Sequence, residues 1–196
     1  MHIELTEMLR CPENHREEFL VLSTSEMSGR MVAAGLLGCP VCHKEYEVVH
    51  GVVEFGGIST HHTPPFSAAD PLTVQALLDL SGPGGYIILL GSAARYAVGL
   101  AALMGGIHFV GVNPPLDAEE LPILSLIRSE HAIPLKSSMA RGALVGSDMV
   151  TSKWLAEARR ILLKGRRLVV ESENVPAVTG VSRLAAGQGL WVGEAV

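Results

Sequence analysis

Two short clusters near the N-terminus hold residue types that bind metal ions: Cys11-Pro12-Glu13-Asn14-His15 and Cys39-Pro40-Val41-Cys42, with 23 residues between them. A tetrahedral Zn²⁺ takes four nitrogen or sulfur donors, and two close pairs held on turns can supply them. The C-x-x-C half brings both thiolates to one ion. The C-x-x-x-H half is looser, and His43, His2 or His50 could replace His15 as the fourth ligand. The expected set is Cys11, His15, Cys39 and Cys42, a closed structural site with no open position for catalysis. The alternative is three free buried thiols beside an unrelated histidine. Three cysteines, two of them in one short motif, make a poor disulfide framework.

A second candidate site lies in Tyr86-Ile-Ile-Leu-Leu-Gly-Ser-Ala-Ala-Arg95, an apolar run followed by small residues. That is where a doubly wound fold places its first strand and nucleotide loop. Asn113 follows Gly91 by 22 residues and ends Phe109-Val-Gly-Val-Asn, the distance at which such folds hold ribose hydroxyls. Gly91, Ser92, Ala93 and Asn113 are therefore the candidate cofactor residues. A dinucleotide loop needs G-x-G-x-x-G, and only its first glycine is present.

The elements that must position these residues fall into two groups. Glu18–Ser23, Arg30–Leu37 and Glu45–Phe55, bent at Gly51, read as β-rich pieces. Gly56–Pro65, which includes His61-His62, has no apolar period and reads as a linker. After it, Asp70-Pro71 caps a helix through Leu80, and Tyr86–Leu90 is a strand. Arg95–Met104 follows as a helix and Ile107–Val112 as a strand. A helix is expected over Asp117–Arg128, dented by Pro122, then strands at Ala132–Lys136 and Ala143–Gly146. Thr151–Leu163 reads as a helix, Arg167–Glu171 as a strand and Leu190–Ala195 as a sixth strand, with a weak helix before it. Apolar strands alternating with helices call for a mostly parallel sheet covered on both faces. The expected fold class is α/β: a small β-rich zinc ribbon (1–57), a linker (58–69) and a Rossmann-like, doubly wound domain (70–196).

Composition bounds the function. The chain has 196 residues, 48% hydrophobic and 18% charged, so it can fill a core. The net charge of −5 argues against a protein built mainly to grip nucleic acid. Residues 1–57 hold nine acids against four bases and so carry the whole excess. Arg159, Arg160, Lys164, Arg166 and Arg167 form a basic cluster, but cations at a helix end are expected on dipole grounds, and RNA contact is not favoured. The uncharged stretch between Arg95 and Asp117 contains Gly105-Gly106 and Pro114-Pro115, which fit a helix, turn and strand better than a membrane span. No export signal is visible at the start, and a cytoplasmic protein is expected.

Leu9-Arg10-Cys11-Pro12, Gly38-Cys39-Pro40-Val41-Cys42 and Tyr46-Glu-Val-Val-His-Gly-Val-Val53 resemble the zinc-ribbon family of small activator subunits of tRNA, rRNA and release-factor methyltransferases. That family's first knuckle is C-P-x-C; here Asn14 stands in its place, with His15 one residue on. The resemblance implies a partner-binding module. Ala156-Glu-Ala-Arg-Arg-Ile-Leu-Leu-Lys-Gly-Arg-Arg-Leu-Val-Val170, with the loop at Gly91 and the strand end at Asn113, resembles class I S-adenosylmethionine-dependent methyltransferases. This implies their fold and a site for that cofactor. The sequence departs from the family pattern at Leu89, where an acid is usual, and at Ala93 and Arg95, where glycines are. Asn113 replaces a carboxylate, and an amide cannot accept from two hydroxyls as a carboxylate does. Asn113-Pro114-Pro115 reads as a turn rather than a base-methylating motif, because it follows the second strand and precedes Leu116. Asp148 is the one acid placed for substrate chemistry, or else a loop residue leading into the next helix. The expected function is an adaptor or regulatory protein with a protein partner or a second copy of itself, and the alternative is an active methyltransferase with a divergent loop. The ribbon is expected to dock on its own sheet or on a second ribbon, through Met31–Leu37.

Overall fold

A computed structural model describes residues 1–56, 69–118 and 121–196; the expected linker and His61-His62 fall almost wholly outside them. The alternating hydrophobic pattern of the N-terminal third folds into four antiparallel strands: β1 (Val21–Ser28), β2 (Met31–Gly38), β3 (Glu45–Val49) and β4 (Val52–Phe55). The expected long third piece divides into β3 and β4 because Gly51 sits at φ +78, a conformation that suits glycine. A 3-10 helix over Ile3–Met8 precedes them.

The remainder holds β5 (Tyr86–Leu90), β6 (His108–Val112), β7 (Leu124–Ser129), β8 (Ala140–Val145), β9 (Leu162–Val170), which begins inside the expected Thr151–Leu163 helix, β10 (Val181–Gly187) and β11 (Leu190–Ala195). Helix α1 (Pro71–Leu78) begins at Asp70, whose carboxylate accepts from Leu72 N. Helix α2 (Ala97–Leu103) continues from a 3-10 turn over Gly91–Tyr96, and α3 (Ser152–Ile161) starts at its Thr151 cap. All strands among the described residues join one sheet of order β1-β2-β3-β4-β7-β6-β5-β8-β9-β11-β10. The β7-β6-β5-β8-β9 stretch is parallel and reverses direction of growth at β5, which makes this a Rossmann-like sheet with its switch point between β5 and β8.

Three of the expected elements need correction. Asp117–Arg128 is not a helix among its described residues: Leu124–Ser129 is strand β7, slotted between β6 and β4. Pro122 cannot donate a helical hydrogen bond, and Leu121-Pro-Ile-Leu-Ser-Leu-Ile is apolar enough for a strand buried on both faces. Ala132–Lys136 is irregular, its backbone bonding the N-terminal segment through Arg10 N to Pro134 O and Lys136 N to Met8 O (both 2.9 Å). The weak helix before the last strand is β10 instead.

The ribbon docks on its own sheet, but through β4 rather than Met31–Leu37. Val52, Val53, Glu54 and Phe55 pair in parallel with Leu126, Ile127, Arg128 and Ser129. Strand β2 is flanked by β1 and β3, so it has no free edge to offer. One core face packs α1 and α2 against Ile87, Leu89 and Phe109. The other runs without a break from Leu37, Val48 and Val53 of the ribbon through Leu5 and Leu9 to Ile88, Val110 and α3.

Candidate functional site

Cys39 follows β2 directly and opens a tight turn: its amide donates to Lys44 O (2.9 Å) and its carbonyl accepts from His43 N (3.0 Å). Cys11 leads a loop that returns on itself, its amide donating to Glu18 O (3.1 Å). The two turns meet. One ligand atom from each of Cys11, His15, Cys39 and Cys42 lies within 4.8 Å of all the others. The Cys11 and Cys42 sulfurs are 3.7 Å apart, and Cys39 Sγ is 3.4 Å from His15 Nε2. A tetrahedral ion about 2.3 Å from sulfur and about 2.0 Å from nitrogen has S···S edges of about 3.8 Å and S···N edges of about 3.5 Å. The spacing fits such an ion. His2, His43 and His50 lie outside the group.

The surroundings orient His15 and favour the thiolate at Cys39, whereas at Cys11 burial opposes it. His15 Nδ1 is 2.6 Å from Arg16 O, and since a carbonyl only accepts, Nδ1 carries the proton. Nε2 is then the free lone pair facing Cys39, and the backbone contact fixes the ring. Burial pushes the Cys11 thiol up to about 11, partly opposed by the Tyr46 hydroxyl at 3.4 Å. At Cys39 burial also pushes upward, but backbone hydrogen bonds from Cys42 and Val41 outweigh it and bring the thiol down to about 7. Tyr46 and Glu13 support the cluster, with Tyr46 OH donating to Glu13 Oε1 (3.4 Å) and Lys44 pairing with Glu13 (2.8 Å). Sequence reasoning missed both. The signal was their place beside the knuckles.

At the carboxyl ends of β5, β6, β8 and β9 the chain closes on itself. Ser92 N donates to the Asp148 carboxylate at 2.9 and 3.2 Å, and Ser92 Oγ donates to Asp148 Oδ1 at 2.7 Å. Gly91 holds φ +60, and a Cβ there would lie 2.6 Å from both Asp148 oxygens. On the far side, Tyr96 OH donates to Glu171 Oε1 at 2.8 Å, and Glu171 Oε2 is 3.4 Å from Ser92 Oγ. Glu171 and Asp148 both follow strand ends, the rule that could have paired them. Asn113, at φ +51, donates from Nδ2 to Ser129 O and accepts at Oδ1 from Ser129 N, both at 2.8 Å. Arg95, where a third glycine was expected, reaches Asp117 with two donors at 3.2 and 3.1 Å. Ser92, Ala93 and Asn113 are all buried. The structure therefore brings Gly91, Ser92 and Ala93 beside Asp148, and ties Asn113 to β7 instead.

In the basic cluster, Arg159 bonds Gly180 O and Val196 O, Arg160 bonds Ile133 O, Leu135 O and Glu157, and Arg167 pairs with Asp79 and Glu194. No helix among the described residues is long and apolar enough to cross a membrane.

No protein-family model matches the sequence, and no curated protein matches it. Solved structures are similar in shape. The antibiotic-resistance methyltransferase Kmr matches 66% of this chain and 94% of its own, at 14% identity and TM-score 0.45. Geranyl diphosphate methyltransferase, solved with GPP and sinefungin, matches over 53% of this chain and 43% of its own, at 18% identity and TM-score 0.45. A chain in the complex of the Haloferax volcanii Trm112 methyltransferase activator with a candidate methyltransferase matches over 51% of this chain and 50% of its own, at 17% identity and TM-score 0.41. This chain thus spans less than half the length of the geranyl diphosphate enzyme and half of the Haloferax chain. Such likenesses carry no argument of their own; the Rossmann-like fold rests on the strand order and register above.

Proposed function

We propose that this chain is an adaptor or regulatory protein: a zinc-holding ribbon over residues 1–57, joined through 58–69 to a methyltransferase-like domain over 70–196 whose cofactor site is closed. The observation that carries this reading is the Asp148 carboxylate on the Ser92 amide and hydroxyl. A loop amide that would meet a cofactor already has an anion of the chain's own, and both amide atoms of Asn113 are engaged by Ser129 rather than turned to a ribose. The residues present do not fit S-adenosylmethionine. The protein acts through contacts with a protein partner, and the ribbon, resembling methyltransferase activators, is the module that suits such contacts.

Calorimetry with S-adenosylmethionine and S-adenosylhomocysteine tests the reading. No heat is expected up to millimolar ligand from a folded, metal-loaded chain. Submillimolar binding would instead support an active methyltransferase with a divergent loop. For the ribbon, elemental analysis is expected to return one zinc per chain. His15→Ala should lose that metal where His43→Ala keeps it; equal losses would give the fourth position to another nitrogen.

A further inference from the structure

We infer that His2, Glu4 and His108 form a second divalent-metal site, separate from the cysteine cluster, that clasps the N-terminal segment and ribbon to the Rossmann-like sheet. This goes beyond the proposed function and does not depend on it. His108 opens β6, at the end of the sheet opposite the Gly91 loop. His2 is brought to it by the fold: its amide donates to Ser125 Oγ of β7 at 2.9 Å, and it bridges Met31 at the start of β2. The two imidazole rings stand 4.6 Å apart, tilted by 48°. One ligand atom from each of His2, Glu4 and His108 lies within 4.8 Å of the other two, with His2 Nδ1 3.8 Å from Glu4 Oε2.

The orphaned nitrogens point to a ligand. Nδ1 of His2 and Nδ1 of His108 are both buried without a hydrogen-bond partner, and the His2 side chain is only 10% exposed. A neutral imidazole has one donor and one acceptor, so each ring leaves one function unmet whichever tautomer it adopts. One cation between the rings satisfies two lone pairs at once. Arg30 pairs with the other Glu4 oxygen and leaves Oε2 turned toward His2.

Two imidazoles and one carboxylate suit Zn²⁺, Co²⁺ or Ni²⁺, whereas Mg²⁺ and Ca²⁺ prefer all-oxygen shells. Binding would draw the donors about 1 Å closer, a small rearrangement for an exposed Glu4 and two rings. Three protein ligands leave at least one position for water, so this ion exchanges more readily than one held by four. Because His2 follows Met1, whose amine bonds Val32 O and Gly51 O, an ion here ties the ribbon to β6.

The test is a Co²⁺ titration of the full chain with its cysteine site already loaded with zinc, read by absorption, metal content and thermal midpoint. A second equivalent is expected at micromolar Co²⁺, with d–d bands, no thiolate-to-cobalt charge transfer, and a midpoint that rises with free cobalt. His108→Ala should abolish that equivalent, and Glu4→Gln should weaken it at least about tenfold, with ribbon zinc unchanged in both. No second equivalent at millimolar Co²⁺ overturns the site, as does a second equivalent that shows sulfur charge transfer. If His108→Ala fails to fold, Glu4→Gln decides, since unchanged affinity there overturns the site equally.

Discussion

Asn113 has its amide closed on both backbone polar atoms of Ser129, so its side chain acts as a clip between the ends of β6 and β7. A carboxylate could accept from Ser129 N but would set an oxygen against Ser129 O. Asn113→Asp, which restores the acid of the resembled family, is therefore expected to cost about 2 kcal/mol and to gain no cofactor binding. Urea unfolding measures the first and calorimetry the second; unchanged stability would show that the clip does not matter. Asp148 belongs to the same scale. It was legible as an acid after a strand, but its pairing with Ser92, 56 positions earlier, was not. That contact exists only once β5 and β8 are adjacent.

Strand β4 joins the two halves, and its residues show which force does so. Val53 is fully buried opposite Ile127, whereas the neighbouring Glu54–Arg128 pair (2.9 Å) leaves about a third of each side chain in water. Val53→Ala should cost about 2 kcal/mol through lost burial and the cavity left behind. A double-mutant cycle on Glu54 and Arg128 should give less than about 1 kcal/mol, as exposed pairs do. Denaturant midpoints of the four variants check both. If the ion pair carried more than the valine, docking would be electrostatic and weaken steeply with salt.

At the scale of the molecule, ribbon and Rossmann-like strands share one eleven-stranded sheet and one core face. Such a structure should unfold as a unit although its sequence reads as two modules. Calorimetry is expected to show a single transition, and Cys39→Ser should lower its midpoint as a whole by several degrees. Two separated transitions, with only the first moved by the substitution, would mean that the halves fold independently.

Local chemistry in the sequence determined a great deal. The paired cysteine turns, the Asp70-Pro71 helix start, the bend at Gly51 and the apolar strand Tyr86–Leu90 each follow from residue types within a few positions. The small-residue loop at Gly91 and the strand end at Asn113 were also visible. Only the tertiary structure decided what lies far apart in the chain. Leu121–Ile127 fits a helix or a buried strand equally by period, and the slot between β6 and β4, a strand some 70 positions earlier, made it β7. Likewise, short-range spacing brought Cys39 and Cys42 to one turn, but the choice of His15 over His2, His43 and His50 needed the loop at Cys11 folded back on Glu18. Sequence period constrains neighbours along a chain. Which edges and loops meet is set by the burial of whole faces, and that is a property of the assembled sheet.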